Sequence, residues 1–209
     1  MFTVWFTGLP ASGKSTIAKR VEEALRRRGL DVENLDADEV RRNLHPKLGF
    51  SKEERGENNR RIAYLAKLLN KHDVVVIVAA VSPFEEHRRM ARRIVEEAGR
   101  FFLVWVNCPV EVCKARDPKG LYERAERGEI PDFTGVSHPY EPPQRYELRL
   151  DTAKDDPRTC TEQVLAGLER AGLLQPAEAG TGREREGVAL TPEEEEAIRE
   201  RLRQLGYLD

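Results

Sequence analysis

The chain alternates short, solidly apolar runs with longer stretches in which apolar residues recur every three or four positions. Phe2-Thr3-Val4-Trp5-Phe6-Thr7 is dense in aromatic and β-branched residues and predicts a buried strand. Ile17 to Arg28 sets Ile17, Val21 and Leu25 on one face, which predicts a helix, with Gly29 as its C-cap. Val32 to Leu35 predicts a second, short strand that closes on Asp36-Ala37-Asp38. A helical stretch from Glu39 to Leu44 stops before Pro46. Ser51-Lys52-Glu53-Glu54 has the form of a capping box and opens a long helix to about Leu69, with Ile62, Leu65, Ala66 and Leu69 on its apolar face.

Two later runs, Asp73 to Ala80 and Phe101 to Val106, show no alternation, so both faces of those strands are expected to be buried, as in a parallel sheet. Pro83 to Ala98 between them predicts a charged amphipathic helix. Pro109 starts a short helix, Leu148-Arg149-Leu150 is a last strand, and Pro157 to Ala171 is the final helix of the domain. Strands alternating with helices predict an α/β fold: a doubly wound, mainly parallel sheet of about five strands with helices on both faces. Ligands of such sheets sit at the carboxyl ends of the strands. That gathers Gly8, Asp36 to Asp38, Ser82 and the segment after Val106 around one cleft.

The pattern breaks twice. From Asp117 to Pro143 the chain is rich in Gly, Pro, Asp and aromatics, which predicts a long, partly mobile loop with a helical turn at Leu121 to Ala125. Beyond the domain at 1–174, residues 175–190 read as a linker and 191–209 as a C-terminal amphipathic helix. In that helix Thr191 is an N-cap, Pro192 sits at N1 and Glu194 completes a capping box. Its narrow stripe of Ala197, Ile198, Leu202 and Leu205 needs a surface: its own domain, a second copy or another protein.

Composition narrows the function. The 209 residues carry 34% charged side chains at a net charge of -2, so no global field draws nucleic acid or an anionic membrane, and neither is expected as a partner. No apolar run approaches the roughly 18 residues of a bilayer span, and the N-terminus enters the first strand directly, with no signal peptide expected. Three scattered cysteines, Cys108, Cys113 and Cys160, suit small buried side chains better than a disulfide framework or a redox pair. Together these predict a cytoplasmic protein.

Gly8-Leu9-Pro10-Ala11-Ser12-Gly13-Lys14-Ser15-Thr16 fits the phosphate-binding loop G-x-x-x-x-G-K-[ST], and it lies between a strand and a helix as that loop requires. Its glycines let backbone N–H groups turn inward on an anion, and the following helix adds its positive end. Lys14 supplies a charge for the β- and γ-phosphates, and Ser15 a ligand for Mg²⁺. Asp36 and Asp38, two residues apart at a strand end, are expected to project to one side if the segment is extended. One carboxylate then serves Mg²⁺ and the other receives the proton of an attacking hydroxyl. Helix capping by Asp38 is compatible with that role. Arg41, Arg55, Arg60 and Arg61, with Asn58, form a basic cluster that suits sulfate, phosphate or carboxylate, while Asn58 suits a base or ribose edge. Phe50 and Phe133 lie beside glycine or proline, where an aromatic either packs in the core or clamps a flat base.

Taken together, the loop, Leu35 to Arg41, Leu48-Gly49-Phe50-Ser51, Glu54 to Arg61 and Val81-Ser82-Pro83-Phe84 resemble adenylylsulfate kinase. So do Arg116-Asp117-Pro118-Lys119-Gly120-Leu121-Tyr122, Phe133-Thr134-Gly135 and Pro139-Tyr140-Glu141-Pro142-Pro143. The resemblance runs from about Phe2 to Leu168 and implies ATP-dependent phosphorylation of the ribose 3′-hydroxyl of adenosine 5′-phosphosulfate, with Mg²⁺ as cofactor. It implies Asp38 as the acceptor-side carboxylate, Asp36 as a Mg²⁺-linked partner, and Lys119 as a lid charge closing over the phosphates. Arg41, Arg55 and Asn58 become ligands of the phosphosulfate nucleotide, Phe50 and Phe133 the two faces on its adenine, and Arg116 a contact of the ATP adenine. Val81, Ser82, Leu121, Thr134 and Gly135 complete the acceptor site. Ser82 is expected to contact substrate through its backbone rather than to carry a phosphoryl group. The resemblance also implies a homodimer, and metabolic logic makes ATP sulfurylase a partner for the last helix.

The chain departs from the pattern at Asp36-Ala37-Asp38-Glu39, where the family often has D-G-D-N, and at Phe84, usually a tyrosine. Two other readings compete. A kinase of another small hydroxyl compound does not explain a pair of aromatic faces. A non-catalytic nucleotide-binding docking protein does not explain the retention of Lys14 and Asp38.

Overall fold

In the computed structural model, which describes residues 1–44 and 46–176, every strand pairs in parallel. Strands β1 (Phe2–Thr7), β2 (Val32–Asp36), β3 (Val75–Ala79), β4 (Arg100–Asn107) and β5 (Leu148–Asp151) form one sheet in the order β2-β3-β1-β4-β5. The central β1 pairs on one side with β3, Thr3 opposite Val76, and on the other with β4, Thr3 opposite Phe101. All six residues of β1 are buried, Thr3 and Thr7 included, as a central strand covered on both faces requires.

The helices divide between the two faces. Alternate residues of β1 point to opposite sides. Phe2, Val4 and Phe6 meet Ile17, Val21 and Leu25 of α1 (Lys14–Arg27) and Val164 and Leu168 of α7 (Pro157–Arg170). Trp5 meets the other layer, with Ile62, Ala63 and Ala66 of α3 (Lys52–Lys71) and Ala91 and Val95 of α4 (Glu85–Val95). A third, smaller cluster ties α5 (Val110–Arg116) and α6 (Leu121–Glu126) to Phe133 and the phosphate loop.

The expected capping box is present: Ser51 Oγ accepts from Glu54 N at 3.2 Å, and Glu54 returns a carboxylate to Ser51 N at 3.1 Å. Glu54 also accepts from Gly49 N at 2.8 Å, so one carboxylate orders the loop carrying Phe50. One expectation fails. Asp36 and Asp38 do not share an extended segment: β2 ends at Asp36, and α2 (Ala37–Leu44) already contains Asp38. The capping carboxylate is Asp36, whose Oδ1 accepts from Asp38 N at 2.9 Å and Glu39 N at 3.1 Å. Ala37 therefore takes a helical position and has no need of the glycine often found there. The linker and helix expected over 175–190 and 191–209 lie outside the described residues, except for Gln175 and Pro176.

Candidate active site

The phosphate loop leaves β1 with a tight constraint at each glycine. A Cβ on Gly8 would stand 2.5 Å from the Val106 carbonyl oxygen, so only glycine allows β4 to close on the loop. Gly13 turns at φ +99 and caps α1 without a side chain. No acidic residue occupies the first turn of α1, so its N–H groups and positive end face outward without an internal anion. Ala11, between the glycines, also holds a left-handed φ of +58, a strain that the spacing of the motif does not reveal.

Lys14 donates from Nζ to the Leu9 carbonyl at 2.7 Å. Burial pushes its pKa down to about 8, opposed by the negative charges of Asp38 and Asp36 and reinforced by Lys119. The four groups expected to handle the transferred phosphoryl therefore share one electrostatic neighbourhood.

That neighbourhood is the floor of a cavity of about 1060 Å³ at the carboxyl edge of the sheet. This exceeds the usual size of a pocket for one small ligand, leaving room for more than one. The phosphate loop lines it through Pro10, Ala11, Gly13, Lys14, Ser15 and Thr16, and Arg116 is also on the wall. Arg116 is held there by the Thr152 carbonyl and by Cys108 Sγ at 3.7 Å. The rest of the lining includes Asp36, Asp38, Arg41, Phe50, Arg55 and Asn58, together with Val81, Ser82, Lys119, Leu121, Phe133 and Thr134. Gly8, Leu9, Ser12 and Gly135 are not on the cavity wall. Gly135 instead lies behind it at φ +94, where a Cβ would sit 3.2 Å from Leu9 Cδ2.

The two phenylalanines differ. Phe50 is 49% exposed, flanked by the guanidinium groups of Arg41 at 4.5 Å and Arg55 at 5.4 Å from its ring centre. Both arginines hold its loop, Arg41 through the carbonyls of Leu48 and Gly49, Arg55 through that of Phe50 at 2.7 Å. Phe133 is 8% exposed and meets Tyr122 edge-on at 5.1 Å. It belongs to the third core cluster as well as to the cavity lining, so the ring that packs in the core also presents an edge to the cavity.

Ser82 is buried at 3% exposure with φ +42. Its Oγ accepts from Trp5 Nε1 at 3.1 Å, and its carbonyl accepts from Arg88 Nη1 at 2.7 Å. A hydroxyl so committed has no base to activate it as a nucleophile.

Sequence reasoning missed the fastenings of the long segment. Asp117 accepts from the N–H groups of Leu121, Tyr122 and Glu123 and so starts α6. Tyr122 donates to the Pro10 carbonyl at 3.1 Å, bolting this segment to the phosphate loop. At the far end Glu141 N donates to the Pro83 carbonyl at 2.8 Å, and Tyr140 meets Thr7 Oγ1 at 3.0 Å. The motif segments at residues 116–122 and 139–143 were the available signal, but nothing in them named the partners.

Mg²⁺ fits the donors present. Ser15 and Asp36 offer a hydroxyl and a carboxylate, the hard oxygens that ion takes. Among the described residues no group of three or more His, Cys, Asp or Glu side chains forms a metal cage. A sparse protein share suits an ion that arrives with phosphates.

A cradle for a triphosphate faces a basic, aromatic-walled lobe across two carboxylates and a buried ammonium, which is the layout for moving a phosphoryl group between two bound molecules. This defines a kinase of the P-loop class. Residues 1–151 match the family model described as Adenylylsulphate kinase, and the chain belongs to that family. It is 46% identical over 172 residues to the adenylyl-sulfate kinase of Halothermothrix orenii, covering 82% of this chain and 91% of that one. It is 48% identical over 164 residues to the adenylyl-sulfate kinase of Thermodesulfovibrio yellowstonii, covering 78% and 82%. Its structure is similar to that of the Mycobacterium tuberculosis APS kinase CysC in complex with AMPPNP and APS, with a TM-score of 0.77 and 43% identity, covering 80% of this chain and 96% of that one.

Proposed function

We propose that the chain transfers the γ-phosphate of ATP to the ribose 3′-hydroxyl of adenosine 5′-phosphosulfate, giving 3′-phosphoadenosine 5′-phosphosulfate and ADP. The observation that carries the reading is the single cavity joining the phosphate loop to Arg41, Phe50, Arg55 and Phe133. Family membership supports the choice of acceptor.

In this reading the loop and the N-terminus of α1 hold the triphosphate. Lys14 exchanges the Leu9 carbonyl for phosphate oxygens, and Lys119 approaches them from the long segment. Ser15 and Asp36 would hold Mg²⁺, which would supply charge neutralisation for the triphosphate. Arg41 and Arg55 bind the phosphosulfate. Phe50 and Phe133 hold the adenine. Asp38 accepts the 3′-hydroxyl proton late, as the loose transition state forms. The three cysteines are buried thiols, which supports a reducing, cytoplasmic setting. A homodimer belongs to the same proposal, on the strength of the family resemblance.

An ATP–Mg²⁺ assay with adenosine 5′-phosphosulfate, run beside Asp38→Ala, tests this. Product with a 3′-phosphate that disappears in the variant is the expected result. No turnover with ATP still bound overturns the acceptor. Undiminished product in the variant moves the proton acceptor elsewhere.

A further inference from the structure

We propose that Asn59 reads the base of the acceptor nucleotide, its Nδ2 amide donating to a ring nitrogen of the adenine; the inference rests on the adenylylsulfate kinase reading above. Asn59 lies on the cavity wall beside Asn58 and is 4% exposed. Among the described residues its Nδ2 has no hydrogen-bond partner, nor does Asn58 Oδ1, and Asn58 is 3% exposed. Buried polar atoms left unpaired are costly, and where they line a ligand cavity they point to what the ligand supplies.

The orientation of the Asn59 amide follows from its neighbours. An indole N–H only donates. Trp5 Nε1 donates to Ser82 Oγ, so the serine proton needs an acceptor, and Asn59 Oδ1 stands 3.4 Å away. The carbonyl side of the amide is taken, and the N–H side is left for the cavity. Ser82 is held at this point with φ +42, a conformation that costs energy and persists because Trp5 and Arg88 fix it.

A neutral donor beside a neutral acceptor matches one part of the substrate. Adenine presents an amino donor next to a ring-nitrogen acceptor. The phosphosulfate presents acceptors only, and the unpaired Asn58 oxygen would repel it; the arginines suit that group instead. Arg55 and Asn59 are four residues apart on α3 and so share a face, which sets charge recognition and base recognition side by side on one helix.

The test is a cycle between enzyme and substrate. Wild type, Asn59→Ala and Asn59→Asp are assayed with adenosine 5′-phosphosulfate and with its 1-deaza, 3-deaza, 7-deaza and 2′-deoxy analogues. Asn59→Asp keeps an oxygen for Ser82 and the side-chain volume while removing the donor, and thermal melting checks that both variants fold. The expected result is one deaza analogue whose KM rises about tenfold on wild type, the scale of one neutral hydrogen bond. Both variants show that rise with the parent substrate and no further rise with that analogue, while KM for ATP stays within about twofold. Additive losses, or an unchanged KM in both variants, overturn the inference. Coupling to the 2′-deoxy analogue alone overturns the assignment to the base. Absence of wild-type turnover is a separate outcome and refutes the kinase reading itself.

Discussion

The ammonium of Lys14 sits 2.7 Å from the carbonyl oxygen of Leu9, five residues before it, so the loop's cation is held by the loop itself. Unfolded, this group titrates near 10.5; buried in the fold, at about 8. Below pH 8 the fold bears the cost of a buried ammonium, about 3 kcal/mol at about 1.4 per pH unit. That cost shrinks as pH climbs from 8 to 10.5 and is absent above it. Lys14→Met is therefore expected to stabilise the protein at pH 7 by about 2 kcal/mol, after loss of about 1 for the Leu9 hydrogen bond. The gain should vanish by pH 10.5, while turnover falls at least about a hundredfold. Urea melts at the two pH values check the first part, and unchanged stability at pH 7 refutes it.

Phe50 and Phe133 should separate binding from folding. Phe50→Ala removes a half-exposed ring, so stability changes by less than about 1 kcal/mol. KM for adenosine 5′-phosphosulfate rises about tenfold or more, on the scale of one aromatic stack. Phe133→Ala empties a place in the core beside Tyr122 and costs about 3 kcal/mol of stability in addition. Thermal melts read beside KM distinguish the two. Equal stability losses would refute the assignment.

The two aspartates are expected to fail differently. Asp38→Asn lowers kcat by about a hundredfold or more with the melting temperature unchanged. Asp36→Ala loses the cap of α2 as well, about 1 kcal/mol, and raises the Mg²⁺ concentration needed for half-maximal rate. Titrating Mg²⁺ against rate for each variant is the check, and the same Mg²⁺ dependence in both would remove Asp36 from the metal site.

Ser82→Ala is expected to retain turnover within about tenfold and to cost about 1–2 kcal/mol, because it leaves Trp5 Nε1 buried without its acceptor. Rapid quenching with γ-labelled ATP should find no label on the protein. Label on Ser82 at the rate of turnover would refute direct transfer.

The features legible in the sequence were those with a fixed chemical requirement. A strand buried on both faces announces itself by lacking alternation, as β3 does throughout and β4 does from Phe101 to Val104. The glycines of the phosphate loop announce a backbone path. The shared extended segment expected for Asp36 and Asp38 failed because β2 ends at Asp36 and α2 begins at Ala37, a boundary that the sequence pattern does not resolve, although both residues reach the cavity. Tyr122 and Asn59 were missed because their roles depend on Pro10 and Ser82, distant in the chain. The strain at Ala11 and Ser82 was hidden for a related reason: surroundings, not the residue type, hold them there.

The placement of β1 at the centre of the sheet also bears on how the chain is made. Thr3 waits for Val76 on one side and Phe101 on the other, and β2 pairs with β3 rather than with β1. No two strands within the first 74 residues can join each other. The phosphate loop leaves the ribosome about a hundred residues ahead of the strand that backs it, since Gly8 closes on Val106. More than half of the described chain must therefore be synthesised before the nucleotide cradle has a wall to rest on, and until then β1 is an apolar segment in need of protection.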